Sequence, residues 1–243
     1  MKKTVVSIAF ILFAVSALAQ DAAALKKHYL KMYNNALNWN DANAAISALH
    51  GYLALDDNLA YKDTLSMLYF SSKSYISALI LSEEVYKNQP ANPESGARAA
   101  ECYDNLGDPK TAVKLFEEVA AKTRNPYHIY KMAVCQYELK RTLECEQSSK
   151  RVLADTNSNK IGVGFENGNG SSQTVPVNAA ASNLLGVLQM DAKNYAAAKN
   201  YFNEALKAFP QFTGAKQNLE AVDNAMKAAG KPAAKPQARP KGK

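Results

Sequence analysis

The chain has 243 residues, of which 47% are hydrophobic and 21% charged, a composition that excludes a disordered polymer, and its three cysteines exclude a disulfide-stapled scaffold. The net charge of +7 comes from the ends: Lys2 and Lys3 open the chain and Lys231, Lys235, Arg239, Lys241 and Lys243 close it. The middle is about neutral, so no basic footprint for nucleic acid remains.

Met1 to Lys3 form a short basic region, Thr4 to Leu18 an apolar run, and Ala17-Leu18-Ala19 a small-x-small cleavage box. This pattern predicts a signal peptide over 1–19, cleavage between Ala19 and Gln20, and a mature protein in the periplasm or secreted beyond it. The apolar run is shorter than the roughly 20 residues of a membrane span, so no transmembrane segment is expected after cleavage. No cysteine follows the box, which argues against a lipid anchor.

From Gln20 onward the apolar residues recur at helical spacing, and the predicted helices come in pairs: 22–38 with 41–55, 58–71 with 74–88, 93–106 with 109–122, 126–139 with 142–154, and 178–191 with 194–208. Anchors in the first helices stand at Met32, Leu65, Ala99 and Met132, which are 33, 34 and 33 residues apart, and at Leu185 after a gap of 53. Small residues of the first helices (Ala100, Ala133, Gly186) face small residues of the second (Ala112, Cys145, Ala198), while Phe116 and Phe202 fill the seam with the next pair. Larger side chains at the small positions would force the helices apart. Turns punctuate the pattern: Gly107-Asp108-Pro109 supplies a glycine helix end, a cap and a first-turn proline.

The clearest copy, SNLLGVLQMDAKNYAAAKNYFNEALKAFP, sets Leu185-Gly186, Tyr195, Ala198, Phe202, Ala205 and Pro210 in the spacing of a tetratricopeptide repeat (TPR), and the chain resembles that family over about 185 residues. The resemblance implies an all-α, right-handed α-solenoid of about five helix pairs, spanning 20–229. It also implies a non-catalytic scaffold for protein–protein interaction whose first helices line a concave groove for a partner's peptide or helix. In this chain the corresponding groove residues are Tyr127, Tyr130, Val134 and Tyr137 in the fourth pair, Asp63, Met67 and Phe70 in the second, and Asn34, Leu37 and Asn38 in the first. Exposed tyrosines suit peptide capture, and packing between neighbouring first helices is the alternative reading of the same stripe. The lysine and asparagine clamp that some members close on a partner's terminal carboxylate is not evident.

About nineteen extra residues, at 156–177, interrupt the repeats. Ile161, Val163 and Phe165 alternate with Gly162 and Gly164, a turn follows over Glu166 to Gly170, and Val175 and Val177 return, which predicts a β-hairpin, or failing that an irregular loop. A hairpin here must lay its apolar side chains on the helices, because an isolated one is marginal in water. Asp155, Asn157, Asn159 and Glu166 also fall at calcium-loop spacing, the basis of an alternative reading of 156–177 as a ligand- or calcium-sensing module. Lys160 occupies the place where that loop needs glycine, and no helix follows.

A last helix, 212–229, has no second partner and reads as the cap of the stack. The segment 230–243 is basic, rich in proline and alanine, and lacks apolar anchors, so disorder is expected. No zinc-protease, nucleophile-elbow or phosphate-loop motif occurs, and His28, His50 and His128 lie far apart, so neither catalysis, nor a metal, nor a cofactor is expected.

Overall fold

The computed structural model describes residues 21–166 and 170–229. The predicted signal peptide, tip of the insertion and basic tail therefore lie outside the described residues. The class is all-α, and consecutive helices pair as the repeat requires. The chain falls into two compact units divided between Leu115 and Phe116.

In the first unit α1 is helical over 21–38. It is followed by α2 (Ala42–Leu53), α3 (Leu59–Ser71), α4 (Tyr75–Asn88), α5 (Pro93–Asn105) and the start of α6 (Pro109–Thr123). The second unit continues from Phe116 with α7 (Pro126–Glu138), α8 (Thr142–Ala154), β1 (Gly162–Glu166), β2 (Ser172–Pro176), α9 (Val177–Asp191), α10 (Tyr195–Ala208) and α11 (Thr213–Ala229). Every helix bound lies within two residues of its expected place, and side-chain caps mark several of the starts. Asp41 Oδ1 accepts the Ala44 N–H at 2.9 Å, Asp108 Oδ1 the Thr111 N–H at 3.0 Å, and Asn125 Oδ1 the Tyr127 N–H at 3.0 Å.

The turn inside each pair repeats one geometry. Asn40, Lys73, Gly107, Lys140 and Lys193 all take positive φ, from 54° to 84°. The next residue then reaches back across the helix end, as in Asp41 N–H to Ala36 O, Ser74 to Tyr69, Asp108 to Tyr103, Arg141 to Gln136 and Asn194 to Gln189, at 2.8–2.9 Å. This is the left-handed helix stop that satisfies carbonyls otherwise left unpaired.

The small residues expected at the helix crossings are fully buried: Ala100 and Ala112 in the first unit, Ala133, Cys145 and Ala198 in the second. All three cysteines are buried, and none of them is in a disulfide. In the second unit Phe202, Ala198 and Val222 form a core cluster that Leu219 of α11 helps to close, so α11 covers α10 as the capping reading requires.

The insertion is a hairpin, with β1 antiparallel to β2 and Val163 opposite Val175. Val163, Val175 and Val177 are buried, Val177 as the first residue of α9. The Phe165 ring meets Phe212 edge-on, with centroids 4.9 Å apart. Gln173 spans the start of α11: its Nε2 donates to Gln211 O at 2.9 Å and its Oε1 accepts the Thr213 N–H at 3.0 Å. The hairpin thus docks on the last helix, a partner that periodicity alone does not indicate.

Candidate protein-binding surfaces

In the first unit, Asn34, Leu37 and Asn38 on α1 and Met67 on α3 are exposed, and Phe70 is half-buried with its ring edge-on to Tyr75. Leu37 is 48% and Met67 49% exposed, apolar area that the fold leaves uncovered. The two helices approach at Tyr33 and Tyr61: burial, and then the neighbouring Tyr61, push the Tyr33 hydroxyl above its ordinary pKa.

Asp63 of the groove list lies on α3. Its carboxylate is occupied within the fold, taking Arg98 Nη1 at 2.6 Å, Ser95 Oγ at 2.8 Å and Asn92 Nδ2 at 3.4 Å, all from α5 or its cap. Burial alone would push its pKa up, but these hydrogen bonds outweigh it and hold the carboxyl below the usual value. Arg98, which also donates to Ser66 Oγ at 2.7 Å, went unread in the sequence because its partner lies 35 residues away.

In the second unit the tyrosine stripe divides. Tyr130 is 6% exposed, the depth that the packing alternative expects for this stripe. Tyr127 and Val134 are half-buried, Tyr127 with its ring edge-on to His128. Tyr137 is half-buried and donates from its hydroxyl to Asp191 Oδ2 at 2.7 Å, which with burial pushes its pKa up to about 12. Lys140 Nζ stands 5.2 Å from the same ring, beside a cavity of about 450 Å³ that includes Thr142 and Leu188. His128 is buried with Nδ1 3.1 Å from Thr123 Oγ1, a packing role.

Sequence reading also missed an apolar pair on α4. Ile76 and Ile80 are 64% and 62% exposed, on the side opposite Ala78, Ser82 and Val85, which the core takes. Ile80 borders a cavity of about 480 Å³ with Tyr86, Ala99 and Leu115. The signal was two isoleucines at i, i+4, off the buried face.

Two of the residues at calcium-loop spacing, Asp155 and Asn157, make local hydrogen bonds. Asp155 Oδ1 accepts the Asn157 N–H at 2.8 Å, and Lys160 Nζ donates to Asn157 Oδ1 at 3.4 Å, so the chain's own cation stands against a would-be metal ligand. Among the described residues no three His, Cys, Asp or Glu side chains cluster as a metal site. Among the same residues no helix is long and apolar enough to cross a membrane.

Two family models match: "Anaphase-promoting complex, cyclosome, subunit 3" over residues 71–152, and "Tetratricopeptide repeat" over 184–211. No curated protein matches the sequence. Among solved structures, a tetratricopeptide repeat protein from Parabacteroides merdae is similar at 13% identity and TM-score 0.67, covering 84% of this chain and 74% of that one. MamA is similar at 12% identity and TM-score 0.63, over 76% and 92%. YrrB, described as a TPR protein with an unusual peptide-binding site, is similar at 14% identity and TM-score 0.62, over 79% and 90%.

Proposed function

Taking this chain as what its fold and its matches make it, a tetratricopeptide-repeat protein, we propose that it is an exported, non-catalytic adaptor of a bacterial cell envelope that holds a peptide or helix of a protein partner on its first-helix faces. The observation that carries this reading is the uncovered apolar area of Leu37 on α1, one turn from the exposed amide of Asn34 and one residue before that of Asn38, and of Met67 on α3. Apolar side chains give a bound peptide its anchors, and amides satisfy its backbone. The peptide-binding site described for YrrB is a precedent on the same fold. Export rests on the basic, apolar and small-x-small succession before Gln20.

The test uses the mature protein, beginning at Gln20, immobilised against envelope extract and cross-linked. A specific partner should be captured, and Leu37→Ala with Met67→Ala together should weaken its binding by at least about tenfold, the scale of a lost hot spot, with the melting temperature unchanged. Equal capture by the double variant would remove this face. Export is checked separately by fusing residues 1–40 to a phosphatase active only outside the cytoplasm, and an inactive fusion would refute it.

A further inference from the structure

The left-handed stops at Asn40, Lys73, Gly107, Lys140 and Lys193 allow the five second helices to be aligned without reference to their side chains. At the third and seventh places after the stop, α4 has Ile76 and Ile80. In each of the other four at least one of the two is polar, as Ser47, Lys114, Gln147 and Asn200 are. The stop itself and the tenth place after it are Lys73 and Glu83 in this pair, and no other pair sets a cation and a carboxylate there. The second pair alone therefore carries a stripe that reads cation, isoleucine, isoleucine, carboxylate.

In the folded first unit the stripe is open to solvent. Ile76, Ile80 and Glu83 are all exposed, while Ala78, Ser82 and Val85 take the buried side of α4. Residues three and four apart share one helical face, so these side chains stand in a row. Lys73 borders the same depression as Ile76 and Leu106, with a volume of about 340 Å³. Glu83 borders the same depression as Ile80 and Leu115, with a volume of about 480 Å³. Each depression thus has one isoleucine and one charge at its edge, the cation at the start of α4 and the carboxylate past its middle. Glu83 accepts the Tyr103 hydroxyl on Oε1 at 2.6 Å, which occupies one of its two oxygens.

We propose that α4 pairs with α4 of a second copy of this chain, antiparallel, about a two-fold axis that crosses the stripe midway between Ile76 and Ile80. The spacings from Lys73 to Ile76, Ile80 and Glu83 are 3, 4 and 3 residues, the same in both directions. Reversal therefore sets Ile76 against Ile80 of the second copy and Lys73 against Glu83 of the second copy, each contact occurring twice by symmetry. A parallel pair would set like charges together. Moving the axis to Ile80 would bring Lys73 against Lys87, so the register that covers the isoleucines is also the one that joins opposite charges. Each isoleucine then lies over a depression of the other copy. The contact is small beside that of a permanent dimer, so association is reversible and depends on concentration. It uses a second-helix face and does not depend on the first-helix face proposed for a peptide.

The test is analytical sedimentation of the mature protein over a wide range of concentration, in which the mass should rise from one chain toward two. Ile76→Ser with Ile80→Ser should weaken self-association by at least about tenfold. Both places are exposed, so the melting temperature in dilute solution should stay unchanged. Lys73→Glu and Glu83→Lys, made singly, each set like charges across the axis and should each associate more weakly than the unaltered protein. Both changes in one chain set a carboxylate against an ammonium again without altering the net charge, so association should recover. A protein that stays monomeric at every concentration would overturn the proposal and leave this face to a partner of another kind. Undiminished association of the isoleucine variant would overturn it as well. So would a charge-exchanged chain that associates no better than the single variants, because the antiparallel register would then be refuted.

Discussion

Gly186 of α9 lies directly under the ring of Phe202 on α10: a methyl group added to the glycine would stand 2.4 Å from Cε1 and 2.6 Å from Cδ1. Phe202 is fully buried between Ala198, Val222 and Leu219, so the ring has no free direction in which to yield. Gly186→Ala should therefore destabilise the protein by about 2 kcal/mol despite the better helix propensity of alanine, through overpacking. Urea unfolding measures it, and an unchanged midpoint would mean that the α9–α10 contact is loose.

Lys193 occupies the left-handed stop between the same two helices, at φ 57°. A side chain there carries a steric cost that glycine avoids, partly offset by the entropy glycine loses on folding. Lys193→Gly should stabilise by about 0.5–1 kcal/mol. Lys193→Val, β-branched in the same conformation, should shift the urea midpoint the opposite way.

Gln173 joins the hairpin to α11 through two hydrogen bonds, one of them to the Thr213 N–H in the first turn. Gln173→Ala leaves that donor without its protein partner and should cost about 1 kcal/mol. Hydrogen exchange should locate the loss at the start of α11, with faster exchange at Thr213. Unchanged protection there would show that solvent serves as well as the side chain.

The Asp63 carboxyl titrates below its ordinary range in the folded protein, since the bonds from Arg98, Ser95 and Asn92 outweigh its burial. A depressed folded pKa gives stability that is present above the unfolded value of about 3.9 and is lost as pH falls through the folded one. The stability difference between the unaltered protein and Asp63→Asn should therefore shrink as pH is lowered below about 4. A difference independent of pH would assign the effect to packing.

Cys102 and Cys145 are buried, and burial pushes their thiols up to about 12 and about 11. Few thiolates exist at neutral pH, so a disulfide-exchange reagent should react slowly with the native protein. After denaturation without reductant it should titrate three thiols, since none of the three cysteines is in a disulfide. A count of one would reveal a disulfide.

The sequence by itself determined the architecture, because a period of 33 to 34 residues with small side chains at fixed places admits little besides stacked helix pairs. Caps at Asp41, Asp108 and Asn125 act within three residues of themselves, so the helix starts they set were equally legible. Tertiary structure decided what each residue at a repeat position does, because that depends on side chains about a repeat or more away in the chain. Tyr130 and Tyr137 stand two turns apart on one helix, yet one is sealed into the core and the other reaches Asp191, 54 residues on. Asp63 reads as a groove acid until Arg98 is beside it. The hairpin is local and was readable, whereas its seat on Phe212 and Thr213 was not, because an alternating apolar strand states that it needs a surface and not which one.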